Sequence, residues 1–77
     1  GQAFEAPVFT DLVEVVSQRL VASRHLKLSV RHHGAVREAI WFGRAEPVPD
    51  QVRLAYRLQL DEFNGQMRMQ MVVEGMG

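Results

Sequence analysis

The side chains able to do chemistry in this chain crowd into its middle. Residues 18 to 44 carry Arg19, Arg24, Lys27, Arg31, Arg37 and Arg44 against Glu38 alone, together with His25, His32, His33 and the one tryptophan, Trp41. Cations spaced along extended backbone with an indole among them suit a partner made of phosphates and bases: the cations track the backbone and the ring stacks. Composition by itself favours solvated arginines, since charge on a surface is the norm. The histidines offer a second chemistry, metal ligation or proton sensing. Neighbouring residues of a strand point to opposite faces, so His32 and His33 share a ligand only if a turn redirects them. They read instead as an extension of the positive surface or as a cap on the turn, and no metal site is expected. Ser17, Ser23, Ser29 and Thr10 lack the setting of an activated nucleophile, and the carboxylates of Asp61 and Glu62 fall in a turn open to solvent. The chain itself is expected to be non-catalytic.

These side chains must be carried by a small frame. With 77 residues and 47% hydrophobic content there is material for one domain, which buries about 60% of its unfolded surface. The formal net charge of zero conceals an asymmetry, because Glu5, Asp11 and Glu14 precede the basic middle and Glu46, Asp50, Asp61, Glu62 and Glu74 follow it, opposed by Arg53, Arg57 and Arg68. A partner feels the local field within a Debye length of about 8 Å rather than the total. No cysteine is present, so disulfides and thiolate metal sites are excluded and a reducing cytoplasm is the expected location. Apolar runs are far shorter than the roughly 20 residues that cross a bilayer, so no membrane partner is expected. A chain that opens Gly1-Gln2 instead of Met is expected to be a piece of a larger protein.

Periodicity supplies the elements. Residues 1 to 10 read as an incoming linker or cap, and residues 11 to 77 as the domain. "DLVEVVSQRLV", 11 to 21, is valine-rich and reads as a first strand, although Leu12, Val16 and Leu20 also fit a helical spacing. "HLKLSVRH", 25 to 32, alternates cleanly, with Leu26, Leu28 and Val30 inward and Lys27 and Arg31 outward. His33-Gly34 makes a tight reversal. "AVREAIWF", 35 to 42, is a third strand, with Val36, Ile40 and Phe42 on the core face, weakened there by Glu38, and Arg37, Ala39 and Trp41 facing out. "GRAEPVPD", 43 to 50, is a loop. "QVRLAYRLQL", 51 to 60, turns Val52, Leu54, Tyr56, Leu58 and Leu60 inward and Arg53 and Arg57 outward. Asn64-Gly65 signals a hairpin, after which Met67, Met69, Met71 and Val73 return as core. Five strands joined by short turns predict an all-β, five-stranded OB-fold-like barrel, with an SH3-like barrel as the runner-up.

The segments "RHLKLSV", "AIWFG" and "VRLAYRLQLDEFNGQMRMQMVVE" in this order resemble the OB domain of RecJ-type single-strand-specific exonucleases. His25 to Leu28 match that family's His-Leu-Lys-Leu strand, Ala39 to Phe42 its Ala-Ile-x-Phe segment, and Tyr56 to Gln70 its closing hairpin. The resemblance covers roughly residues 7 to 74; Asp61 stands where members often carry asparagine. It implies a parent enzyme that removes nucleotides from the 5′ end of single-stranded DNA in recombination and repair, using manganese or magnesium in a separate DHH core of which nothing is present here. The implied role of this part is to guide the single strand to that core, through Lys27, Arg31, Arg37, Trp41, Arg53 and Arg57 as outward-facing contacts, with Trp41 stacking on a base. Phe63, beside the hairpin tip, is expected near the groove or in packing. The alternative is an interaction module, receiving an acidic tail such as that of single-strand-binding protein or bracing the catalytic domains of its parent.

Overall fold

The computed structural model describes residues 7–77, the side chain of Phe63 excepted. Glu5 and most of the segment expected as a linker therefore lie outside the described residues. Five strands, β1 (Phe9–Val21), β2 (His25–His32), β3 (Ala35–Trp41), β4 (Gln51–Phe63) and β5 (Gln66–Met76), close into a barrel in the order β1-β2-β3-β5-β4. This is the five-stranded OB-like barrel expected from periodicity. Closure depends on two features. β1 begins at Phe9, two residues earlier than its pattern suggested, and pairs with β4 through Phe9 to Glu14 and with β2 through Glu14 to Val21. A register shift between Val15 and Ser17 bends it from one neighbour to the other. The second is the short parallel contact of β3 with β5, Ala39 opposite Met71 and Ile40 opposite Val72. No helix among the described residues is long and apolar enough to cross a membrane.

Turn chemistry sets the registers. His33-Gly34 (φ 51° and 79°) and Asn64-Gly65 (φ 53° and 76°) both place two consecutive residues in the left-handed region, the geometry whose twist matches antiparallel strands. Inside, Val13, Leu26, Leu28, Val30, Ala39, Val52, Leu54, Tyr56, Met71 and Val73 form the core, joined by Val48 from the 43–50 loop. That loop plugs the barrel. Gln18 clamps it with a matched pair of bonds, the Val48 amide donating to Oε1 at 2.8 Å and Nε2 donating to the Val48 carbonyl at 2.9 Å.

Two expectations about faces are corrected. On β3, Ala39 is fully buried and Trp41 packs against the core, whereas Val36 and Phe42 are 58% and 55% exposed. Pairing explains the reversal: Ala39 lies between Leu28 of β2 and Met71 of β5, two large inward side chains that leave room only for a small residue. On β4 and β5 the inward alternation ends early. Leu54, Tyr56, Met71 and Val73 are core, but Leu60, Met67 and Met69 are 59%, 61% and 50% exposed and Leu58 is at the margin. The two strands run on past the barrel as a ribbon pairing Leu58 with Met71, Leu60 with Met69 and Glu62 with Met67. β1 is the strand expected, and Leu12, Val16 and Leu20, whose spacing also fitted a helix, lie exposed on it.

Candidate functional site

The overhanging β4–β5 ribbon faces the outer surface of β2 and β3, and the space between is a cleft of about 500 Å³. Each wall has its own supply of charge. Arg19 of β1 and Lys27 of β2 are direct cross-strand partners. Arg37 shares the parity of Ala39 on β3, yet it is exposed and lines the cleft with Val36 and Glu38. The ribbon contributes Asp61 and Arg68, which face each other across the hairpin, and then Met69 and Gln70. Four cations against two carboxylates leave the cleft positive in a chain of zero net charge. Val36 and Met69 add apolar surface to a positive groove, a combination suited to a ligand with both phosphates and flat apolar faces.

Of the residues singled out by sequence, Lys27 and Arg37 meet in this cleft and the others do not. Arg31 reaches Glu14 at 3.4 Å and borders a second, smaller depression with Leu12 and Gln51. Arg57 is ion-paired with Glu74. Arg53 stands opposite Leu12 on the β1–β4 side of the wall. Trp41 does not project outward as expected: it pairs with Leu26, packs on the core, and carries the Arg44 guanidinium 4.4 Å over its ring. His25 also has a local task, its Nδ1 accepting the Gly43 amide at 3.0 Å where β3 ends. Sequence reading missed Arg19, Arg68 and Met69 as cleft residues. Arg68 was within reach, because counting outward from the two-residue Asn64-Gly65 turn sets it opposite Asp61.

A second cluster lies where β1, β4 and the end of β2 meet. The Tyr56 hydroxyl donates to Asp11 Oδ2 at 2.5 Å, and His32 Nε2 lies 3.0 Å from the same oxygen. The Tyr56 bond, then the His32 bond, hold the Asp11 carboxyl below its ordinary value. Burial, reinforced by the Asp11 carboxylate and partly offset by Arg37, pushes the Tyr56 phenol up to about 12.

Comparison with known proteins gives one consistent result. The family described as the RecJ OB domain matches residues 1–75. A single-stranded-DNA-specific exonuclease RecJ from Dickeya dadantii is 37% identical over 81 residues, an alignment that covers 96% of this chain and 14% of that protein. The protein of the same name from Escherichia coli is 33% identical over 88 residues, covering the same shares, and that from Salmonella typhimurium 35% over 81. The chain thus spans 14% of the length of these relatives.

Proposed function

Because this chain belongs to the RecJ OB domain family, we propose that it is the single-stranded-DNA-binding module of a larger cytoplasmic exonuclease of recombination and repair, holding the strand on its way to a catalytic core elsewhere in the parent. The observation that carries this reading is the positive cleft between the β2–β3 surface and the β4–β5 ribbon. Lys27, Arg37, Arg19 and Arg68 would follow the phosphates, with Val36 and Met69 against the bases. No sequence preference is expected, since cations on phosphates and apolar side chains on base faces serve any base. Trp41, packed on the core, contributes through the fold, and Arg31, Arg53 and Arg57 lie outside the cleft and are at most peripheral contacts.

The manganese- or magnesium-dependent hydrolysis proposed for the parent finds no matching carboxylate set among the described residues. A two-metal phosphoesterase centre needs several converging carboxylates, and the metal-competent group among the described residues offers one, Asp11.

Fluorescence anisotropy with a labelled oligothymidine in low salt tests the proposal. Binding is expected to weaken as salt rises, and Arg37→Ala is expected to lower affinity and reduce the salt slope by about 0.7, one phosphate contact on a single strand. Absence of binding at low salt, or equal effects of Arg37→Ala and the charge control Glu46→Ala, refutes it. A second reading rests on the exposed ribbon: Leu60, Met67 and Met69 are half or more exposed, which suits a brace against the parent's catalytic domains or a dock for the acidic tail of single-strand-binding protein. Chemical-shift mapping separates the two. An oligonucleotide that perturbs Lys27, Arg37 and Val36 supports the first, and a tail peptide that alone perturbs Leu60 and Met69 supports the second.

A further inference from the structure

Asp11, His32 and His33 each present one ligand atom, and the three atoms lie within 4.8 Å of one another. Strand parity should have kept the two histidines apart, but β2 ends at His32, and His33 enters the turn at φ 51°. The imidazoles consequently lie 4.0 Å apart, centroid to centroid. The His32 Nε2 to Asp11 Oδ2 separation of 3.0 Å is slightly under the roughly 3.4 Å between two tetrahedral ligands with bonds of about 2.1 Å, so a small opening of the pair seats an ion. His32 also carries an unanswered atom: its Nδ1 is buried with no hydrogen-bond partner, in a side chain only 11% exposed. Because Nε2 faces the Asp11 carboxylate, it is Nε2 that offers its lone pair to an ion shared with Asp11, with the imidazole proton on Nδ1. The Tyr56 hydroxyl donates to the same Oδ2 and lies 3.5 Å from His32 Nε2, holding the carboxylate oxygen beside the imidazole as an outer-shell donor does for a ligating oxygen.

We propose that Asp11, His32 and His33 form a binding site for one divalent ion of the zinc class, which ties β1 to the β2–β3 turn. Two imidazoles and one carboxylate suit zinc, cobalt or nickel rather than magnesium or calcium, which take all-oxygen sets. His33 is exposed, so its side chain is free to close the distance to the other two. Three protein ligands leave one position for water.

The test is titration of the metal-free 77-residue chain with cobalt(II), read by its visible absorption, and with zinc, read by competition against a chromophoric chelator. One equivalent is expected, with a rise in Tm on adding zinc. The variant His33→Asn discriminates, because Asn-Gly is the preferred sequence for this turn and keeps the fold while removing a ligand. It is expected to bind zinc at least tenfold more weakly, with His25→Ala retaining wild-type affinity. Undiminished binding by His33→Asn, loss of binding in His25→Ala, or no saturable one-to-one binding of either ion overturns the proposal.

Discussion

Raising the pH should destabilise this protein through one phenol. Tyr56 is the only tyrosine in the chain, so phenolate absorbance reports on it alone. Its hydroxyl donates to Asp11 from a side chain that is 3% exposed, and its ionisation is pushed from 10.0 to about 12. The folded pKa stands above the unfolded one, so its contribution is complete below pH 10 and is lost as pH climbs from 10 towards 12. That displacement amounts to about 3 kcal/mol once the group is ionised, a large part of the roughly 4 to 12 kcal/mol typical of a chain this size. Tyr56→Phe removes the titration and one hydrogen bond worth about 1 kcal/mol. Urea denaturation with a chelator present should therefore show the wild type the more stable at pH 8 and the variant the more stable near pH 12. A native phenolate midpoint near 10, or the same alkaline loss in Tyr56→Phe as in the wild type, would refute the reasoning.

Three further outcomes are expected. Val48→Ala should cost about 2 kcal/mol by opening the plug of the barrel, and Gln18→Ala about as much by stranding the Val48 amide and carbonyl; denaturant midpoints measure both. Leu54→Ala should cost about 2 to 5 kcal/mol, while Leu60→Gln, further along the same strand and 59% exposed, should stay within about 0.5 kcal/mol of wild type; near-equal losses would show that the ribbon packs. Asp11 ionises below its ordinary value of 3.8 in the folded state, so its contribution is present above that pH and disappears as pH falls beneath it; urea midpoints at pH 6 and pH 3 should fall less in Asp11→Asn than in the wild type.

The fold was largely legible because its strands alternate and its turns carry glycine where the backbone needs a left-handed residue. Leu26, Leu28 and Val30 could be assigned from period alone. β3 could not, since its inward residue is the small Ala39, chosen by the bulk of Leu28 and Met71 across two different strands. Glu38 was the usable signal, as a carboxylate on a supposed core face argues for turning that strand over. Nor does alternation say where a barrel stops: Leu60 and Met69 continue the rhythm of Tyr56 and Met71 after the wall has ended. The cleft inherited that limit. Lys27 and Arg37 were found from charge, but the ribbon that makes a cleft of their surface is a matter of length, and Arg19 enters it through a register that depends on the irregularity at Val15 and Ser17. Val48, a lone valine between prolines, gave no periodic signal at all.

The ribbon's departure from the core also has a mechanical side. One jaw of the cleft is barrel wall; the other, from Leu58 to the Asn64-Gly65 tip and back to Met69, is a two-stranded lever with little buried apolar surface to stiffen it. Such a lever sets the grip by how firmly it is held. A strand lying in the cleft must bear the entropy of ordering it, and a neighbouring domain that clasps Leu60 and Met67 from outside would bear that cost in advance, tightening the hold on the strand without touching it.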